Sequence, residues 1–336
     1  MDLDLGANPA ERPLLGLTVG DPAGIGPETV RAALEEPTLT QAARILVLGP
    51  AACRPDHVPL LPADDRLSLS TVRDAAWLDT GGPQEWQMGE VQVACGRAAL
   101  DALRRGVELA REDRIDALVT APVNKEAINL AGEPCEGQTE LIGRWCDAPR
   151  VQMLAVAERL RVLLLTRHLP LADALGLVST ERVLDHLVLL DETLRRLGLD
   201  SPRLALAGLN PHAGENGLLG AEDGDVLVPA VEQARARGIV VEGPISPDTV
   251  FLAASQGRHD GVLALYHDQG LIPVKLLSPH RGLTLLAGLP FLRVSPAHGT
   301  AFDIAGRGLA DAGNLLAALF QAAEWARARL ERRRRG

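Results

Sequence analysis

The sequence predicts an α/β protein built on a largely parallel sheet covered on both faces by helices. Apolar runs of strand length recur along the 336 residues, and amphipathic stretches of helical length lie between them. The runs are continuously apolar rather than alternating, as strands buried on both faces are. The first, Leu14–Val19, leads into GDPAGIGPE, where Pro27 suits a first helical turn and Gly24 and Gly26 admit close backbone approach. Ile45–Leu48 reads as the next strand, Gly96–Arg111 as a helix, and Ala117–Thr120 as a strand opening into TAPVNK. Strands at Val151–Val156 and Val162–Thr166 precede a helix over Thr180–Leu197. Leu204–Leu209 precedes a helix over Glu222–Arg237, and Val262–Tyr266 is the last clear strand. A final helix begins near Asn314 and enters the Arg-rich tail, 327–336. No repeat, linker or composition shift divides the chain, so residues 1–336 read as one catalytic unit, with any lobes interleaved.

Composition narrows the function. The net charge is −10, with no basic stripe, which argues against nucleic acid as a partner. The arginines of the tail read as a solvated helix end suited to the negative dipole terminus. No apolar run approaches the roughly 18 to 20 residues of a membrane span, and the opening MDLDLGANPAERP lacks the apolar core of a signal peptide. The four cysteines share no CxxC spacing, which points to a reducing cytoplasm. Only two lysines, Lys125 and Lys275, stand among 32 arginines. Where arginine has displaced lysine so widely, a lysine that stays marks a place where the compact ammonium is needed.

In open α/β sheets, ligands bind beyond the carboxyl ends of the strands. Three strand-like runs end in histidine, at His168, His212 and His267. A single such histidine is more often a cap or a surface residue. Three at equivalent positions, each beside Gly, Pro, Asn or Asp, point to a divalent metal with an open position. Asp268 or Asp248 would complete that shell or orient a histidine. Gln138, Thr139 and Lys125 are placed to hydrogen-bond a polar ligand, although capping also accounts for Thr139. Lys275 and Arg293, cations beside apolar segments, suit a phosphate or carboxylate. The GxGxxG fingerprint is absent.

GDPAGIGPE, TAPVNK, LNPHAGENG, GPISPDTVF, YHDQGLIPVK and GLPFLRVSPAHGTAFDIAG occur in one order from Thr18 to Gly306. Together they resemble the 4-hydroxythreonine-4-phosphate dehydrogenase family of vitamin B6 biosynthesis, within the isopropylmalate dehydrogenase-like superfamily. The resemblance implies a two-lobed isopropylmalate dehydrogenase-like fold with a central cleft, in a cytoplasmic homodimer with shared active sites. It implies one divalent metal per site (Zn, or Mg or Co) on His168, His212 and His267, with ligands drawn from both subunits. It places substrate on Gln138, Thr139, Lys275, Thr284 and Arg293, with Lys275 and Asp248 as the catalytic candidates. The cofactor would lie on His298, Gly299, Thr300 and Asp303. Asp303 suits a ribose 2′-hydroxyl and so favours NAD, with NADP as the alternative.

The implied reaction oxidises 4-phosphohydroxy-L-threonine to a 3-oxo acid that decarboxylates to 3-amino-2-oxopropyl phosphate. Two positions depart from the family, which usually has His where Gln138 stands and Asn where Thr284 stands. Both fall on substrate contacts, so 4-phospho-threonate and 4-phospho-erythronate are the competing substrates. A metal-dependent hydrolase would use the same histidines, and a non-catalytic binding protein would also fit the two departures.

Overall fold

The chain forms two units, Met1–Pro149 together with Leu289–Gly336, and Arg150–Gly288 between those segments. The computed structural model describes residues 12–62, 69–278 and 281–335. Most of the opening segment (residues 1–11), His280 and the last residue of the tail, Gly336, lie outside the described residues.

In the first unit, β1 (Leu14–Thr18) is buried at every position, which explains its unbroken apolar run. The helix α1 (Gly26–Leu34) carries Pro27 in its first turn, and α2 (Pro37–Ala42) is capped by the Glu36 carboxylate. The strands β2 (Arg44–Gly49), β3 (Leu60–Leu61) and β4 (Ala75–Asp79) follow. Next, α3 (Val93–Arg111) buries Cys95, Ala99, Leu103 and Ala110 at helical spacing. After β5 (Ala117–Thr120) come α4 (Lys125–Leu130) and α5 (Gln138–Trp145). A Cβ at Gly96 would run into the Ala127 carbonyl, so glycine there lets α3 lie against the start of α4.

The second unit opens with β6 (Gln152–Ala157) and β7 (Leu160–Leu164), then α6 (Leu171–Leu175) and α7 (Thr180–Arg196). Ser179 caps α7 by accepting from Arg182 N. After β8 (Arg203–Ala207), the predicted helix over Glu222–Arg237 divides into a π segment, Asp223–Leu227, and α8 (Val228–Ala236). The π segment begins at Asp223, whose carboxylate serves the preceding turn. The unit closes with β9 (Val240–Ile245), α9 (Val250–Ser255), β10 (Gly261–Ala264), α10 (His267–Leu277) and β11 (Leu283–Ala287). Its order is β11-β6-β7-β10-β8-β9. The pairs β11–β6 and β6–β7 are antiparallel, and the rest are parallel. Its two ends adjoin, since a Cβ on Gly288 would lie 2.7 Å from the Arg150 carbonyl oxygen.

The chain then returns to the first unit through β12 (Arg293–Pro296) and α11 (Gly313–Arg335). The order there is β3-β4-β2-β1-β5-β12, and every pair is parallel. The carboxyl ends of β1, β5 and β12 therefore share one edge, where the GDPAG, TAPVN and AHGTAF loops emerge. Among the described residues no helix is long and apolar enough to cross a membrane.

Candidate active site

At that edge the first unit holds a buried cation. Arg293 begins β12 and is 3% exposed. One terminal amino group donates to Thr120 Oγ1 at 2.5 Å and to Gln138 Oε1 at 2.9 Å. Its Nε is buried without a partner. Burial pushes the guanidinium down to about 9, and among the described residues no carboxylate is placed to offset it. A buried charge held only by neutral groups keeps its field for a ligand, and an anion is the ligand that relieves it.

Gln138 opens α5 and also donates through Nε2 to the Ala121 carbonyl at 3.1 Å. Its amide thus fixes the guanidinium against the end of β5. An imidazole at this position could become a second cation beside Arg293, whereas glutamine cannot. Thr139, the next residue, is half-buried and does not cap the helix; Gly137 holds that position. Lys125 stands exposed at the first turn of α4, which Asn124 caps by accepting from Ala127 N at 2.9 Å. Thr284 sits half-buried on β11 of the second unit.

Asp21 was not singled out in the sequence. It is 1% exposed, and its Oδ1 accepts from Ala23 N at 2.9 Å while Oδ2 has no partner. Burial pushes its carboxyl up to about 6, against the lowering effect of the Ala23 and Asn124 backbone amides. Its own N–H donates to the Pro122 carbonyl at 3.0 Å, tying GDPAG to TAPVN.

The loop carrying His298, Gly299, Thr300 and Asp303 packs on the same edge. Ile25 N donates to the Thr300 carbonyl at 3.0 Å, and a Cβ on Gly24 would lie 3.0 Å from Thr300. His298 Nδ1 lies 3.0 Å from the Gly299 carbonyl oxygen, while its Nε2 and Glu28 Oε2 are buried without partners. Asp303 and Gly299 are exposed. Orphaned polar atoms beside glycine-permitted backbone contacts fit a polar ligand such as a dinucleotide.

In the second unit, His168 follows β7 and His267 opens α10, with ring centroids 5.5 Å apart. Asp268 Oδ1 lies 2.7 Å from His267 Nδ1, which orients the ring and leaves Nε2 for a ligand. Asp248 instead accepts from Ser246 Oγ at 2.6 Å. Both aspartates line one cavity of about 590 Å³ with Phe251, Tyr266, Ile272 and Leu276. Lys275 lies exposed in the last turn of α10.

His212 occupies a different setting. Residues His212, Ala213, Glu215 and Asn216 all have φ between 44° and 57°, a left-handed turn that L-residues adopt only at a cost. Asp223, 1% exposed, holds this turn by accepting from Leu209 N at 2.9 Å and from Asn210 N at 3.0 Å. Gln269 links the two strand ends, accepting from Leu265 N and donating to the Gly208 carbonyl, each at 2.7 Å. Neither residue carries a sequence signal, because each acts through backbone groups far along the chain. Among the described residues no three His, Cys, Asp or Glu side chains are grouped to hold a metal. The chemistry of the His168–His267 pair, with its carboxylate, fits a divalent metal. Within this chain the structure does not bring His212 to that pair.

Relatives with this architecture are known. The crystal structure of 4-hydroxythreonine-4-phosphate dehydrogenase from Klebsiella pneumoniae superimposes with a TM-score of 0.82 at 38% identity, covering 94% of this chain and 99% of that one. The 4-hydroxythreonine-4-phosphate dehydrogenase of Desulforapulum autotrophicum is 41% identical over 93% of this chain and 95% of its own. The D-threonate 4-phosphate dehydrogenase of Cupriavidus necator is 41% identical over 94% and 97%. Fold, strand-edge site and relatives together define an α/β dehydrogenase. The family model for PdxA, described as pyridoxal phosphate biosynthetic protein, matches residues 34–322, and the chain belongs to that family.

Proposed function

We propose that the chain is a nicotinamide- and divalent-metal-dependent dehydrogenase that oxidises the secondary alcohol of 4-phosphohydroxy-L-threonine. The 3-oxo acid would then lose CO2 to give 3-amino-2-oxopropyl phosphate, in the cytoplasm and on the route to vitamin B6. The observation that carries this reading is Arg293, a buried guanidinium with only neutral partners among the described residues. Arg293, steadied by Gln138, binds the phosphate with Thr139 and Thr284. When bound, the metal supplies Lewis acidity that lowers the pKa of the hydroxyl, and NAD supplies the hydride acceptor. His168, His212 and His267 hold the metal, and Asp268 fixes the ring of His267. Lys275 carries the hydroxyl proton away or stabilises the oxygen as a cation, and Asp248 orients the groups beside it. His298, Gly299, Thr300 and Asp303 bind the dinucleotide, and the Asp303 carboxylate disfavours a 2′-phosphate.

We place the chain in a homodimer whose subunits complete each other's metal shell. Two features support this: His212 stands apart from the other two histidines, and α10 exposes Ile272 and Leu276 at 57% and 78%.

A second substrate has its own support. Relatives of similar identity are named for D-threonate 4-phosphate, and Gln138 is neutral where the family usually has histidine. Purified protein assayed for NAD reduction against 4-phosphohydroxythreonine, 4-phospho-D-threonate and 4-phospho-D-erythronate separates the substrates. His212→Ala should abolish metal binding and turnover together, and full activity in a metal-free variant would sink the scheme.

A further inference from the structure

We propose that Trp86 and Met88 form the wall against which the base of the nicotinamide dinucleotide stacks. This rests on the dehydrogenase reading above and assigns residues which that reading leaves out. The segment PQEWQMGE, residues 83–90, is fastened between the two loops described at the first unit's strand edge. Gly89 N donates to the Ala23 carbonyl at 2.7 Å, joining the segment to GDPAG. A Cβ on Gly89 would lie 2.6 Å from the Phe302 carbonyl oxygen, and one on Gly306 would lie 2.9 Å from Met88 Cγ. The Met88 side chain therefore lies over the end of the HGTAFDIAG loop. Gln92 holds the segment's shape, donating from Nε2 to the Gln87 carbonyl at 2.7 Å and accepting from Gln87 N.

The side chains presented there are unusual for this chain. It has four Trp, one Tyr and four Phe in 336 residues, yet Trp86 and Phe302 both flank this contact. Trp86 is only partly buried and Met88 is 38% exposed, although the chain has ample polar residues for a solvated loop. The indole N–H of Trp86 donates to Met88 Sδ at 3.2 Å, so the two side chains form one pre-set surface. An aromatic plane joined to a thioether suits the face of a heteroaromatic base. The buried, unpartnered Glu28 Oε2 and His298 Nε2 supply the polar groups that a nucleoside needs from the flanking loops. Glu28 is tied to the cofactor loop directly, because its Oε1 accepts from Gly306 N.

The test is calorimetric titration of the full chain with ADP-ribose, which carries the base without the reacting ring. Trp86→Ala should weaken ADP-ribose binding about ten-fold, and Met88→Ala should weaken it less. Trp86→Phe, which keeps an aromatic face, should restore binding to within about three-fold of the parent. At saturating NAD, the KM for the phosphorylated substrate should be unchanged in all three, as should the thermal midpoint. ADP-ribose binding equal to the parent's in Trp86→Ala would overturn the assignment while leaving the dehydrogenase reading intact. A parent protein that binds neither ADP-ribose nor NADH would overturn both.

Discussion

Arg293 shows how one side chain directs a site. Among the described residues this guanidinium, removed from water, has only a hydroxyl and an amide for company, and in the proposed function it is held for an anion that arrives later. Replacing it with methionine should lower kcat/KM for the phosphorylated substrate by about 100-fold or more, as for other buried charge-assisted contacts. It should also remove the rise in thermal midpoint that the substrate confers, measured by calorimetry. Lys275→Arg keeps the charge but exchanges a compact ammonium for a plane, and should still impair turnover. Asp21 is the opposite case, a carboxyl that burial makes harder to ionise. Its pKa is raised from 3.8 to about 6, so the fold holds the proton more tightly than the unfolded chain. The resulting stabilisation is complete below about pH 3.8 and is lost as pH rises through about 6. Above that, the ionised group leaves the fold weaker by roughly 3 kcal/mol than a neutral isostere would. Asp21→Asn should therefore flatten the stability profile between pH 4 and 6 and gain stability at pH 7. Urea unfolding across that range decides it, and an unchanged slope would count against the assignment.

Among elements, the turn at His212 depends on the π segment that follows it. Asp223→Ala would orphan the amides of Leu209 and Asn210, at about 2–4 kcal/mol. The variant should lose stability and metal affinity together, followed by urea unfolding and Co²⁺ titration. Asp268→Asn, by contrast, should leave stability near the parent's and weaken metal binding about 10- to 100-fold.

The same elements show what the sequence made legible. The fold class and the strands β1, β2, β5, β6, β7, β8 and β10 could be read because burial on both faces leaves mostly apolar side chains. β4 has only five residues, AAWLD, and its last is exposed, while β9 is half-exposed with Gly and Pro inside it. β9 therefore offers no apolar run, and that of β4 stops at four residues, AAWL. The motif residues could be seen, but not their pairings. Thr120 and Arg293 are 173 positions apart and meet only because β5 and β12 are neighbours. β6 could be read as a strand, but its antiparallel pairing with β7 and β11 could not, because a continuously apolar strand carries no mark of its direction.

For the whole molecule, the assembly proposal has a direct consequence. Ile272→Glu and Leu276→Glu on the exposed face of α10 should shift sedimentation from dimer to monomer and abolish metal-dependent turnover. Metal-dependent turnover by a stable monomer would refute shared sites.

The adjoining ends of the second unit, where Gly288 meets Arg150, also bear on how the polypeptide is made. On the ribosome, Arg150–Gly288 is complete as soon as its last strand emerges. The first unit begins earlier but must wait for Leu289–Gly336, because β12 pairs with β5. Synthesis order and completion order are thus reversed, and the segment inserted into the chain is the one able to finish first. Nascent chains stalled with residue 288 just clear of the exit tunnel should yield a protease-resistant core from the inserted segment, with the first unit still open to cleavage.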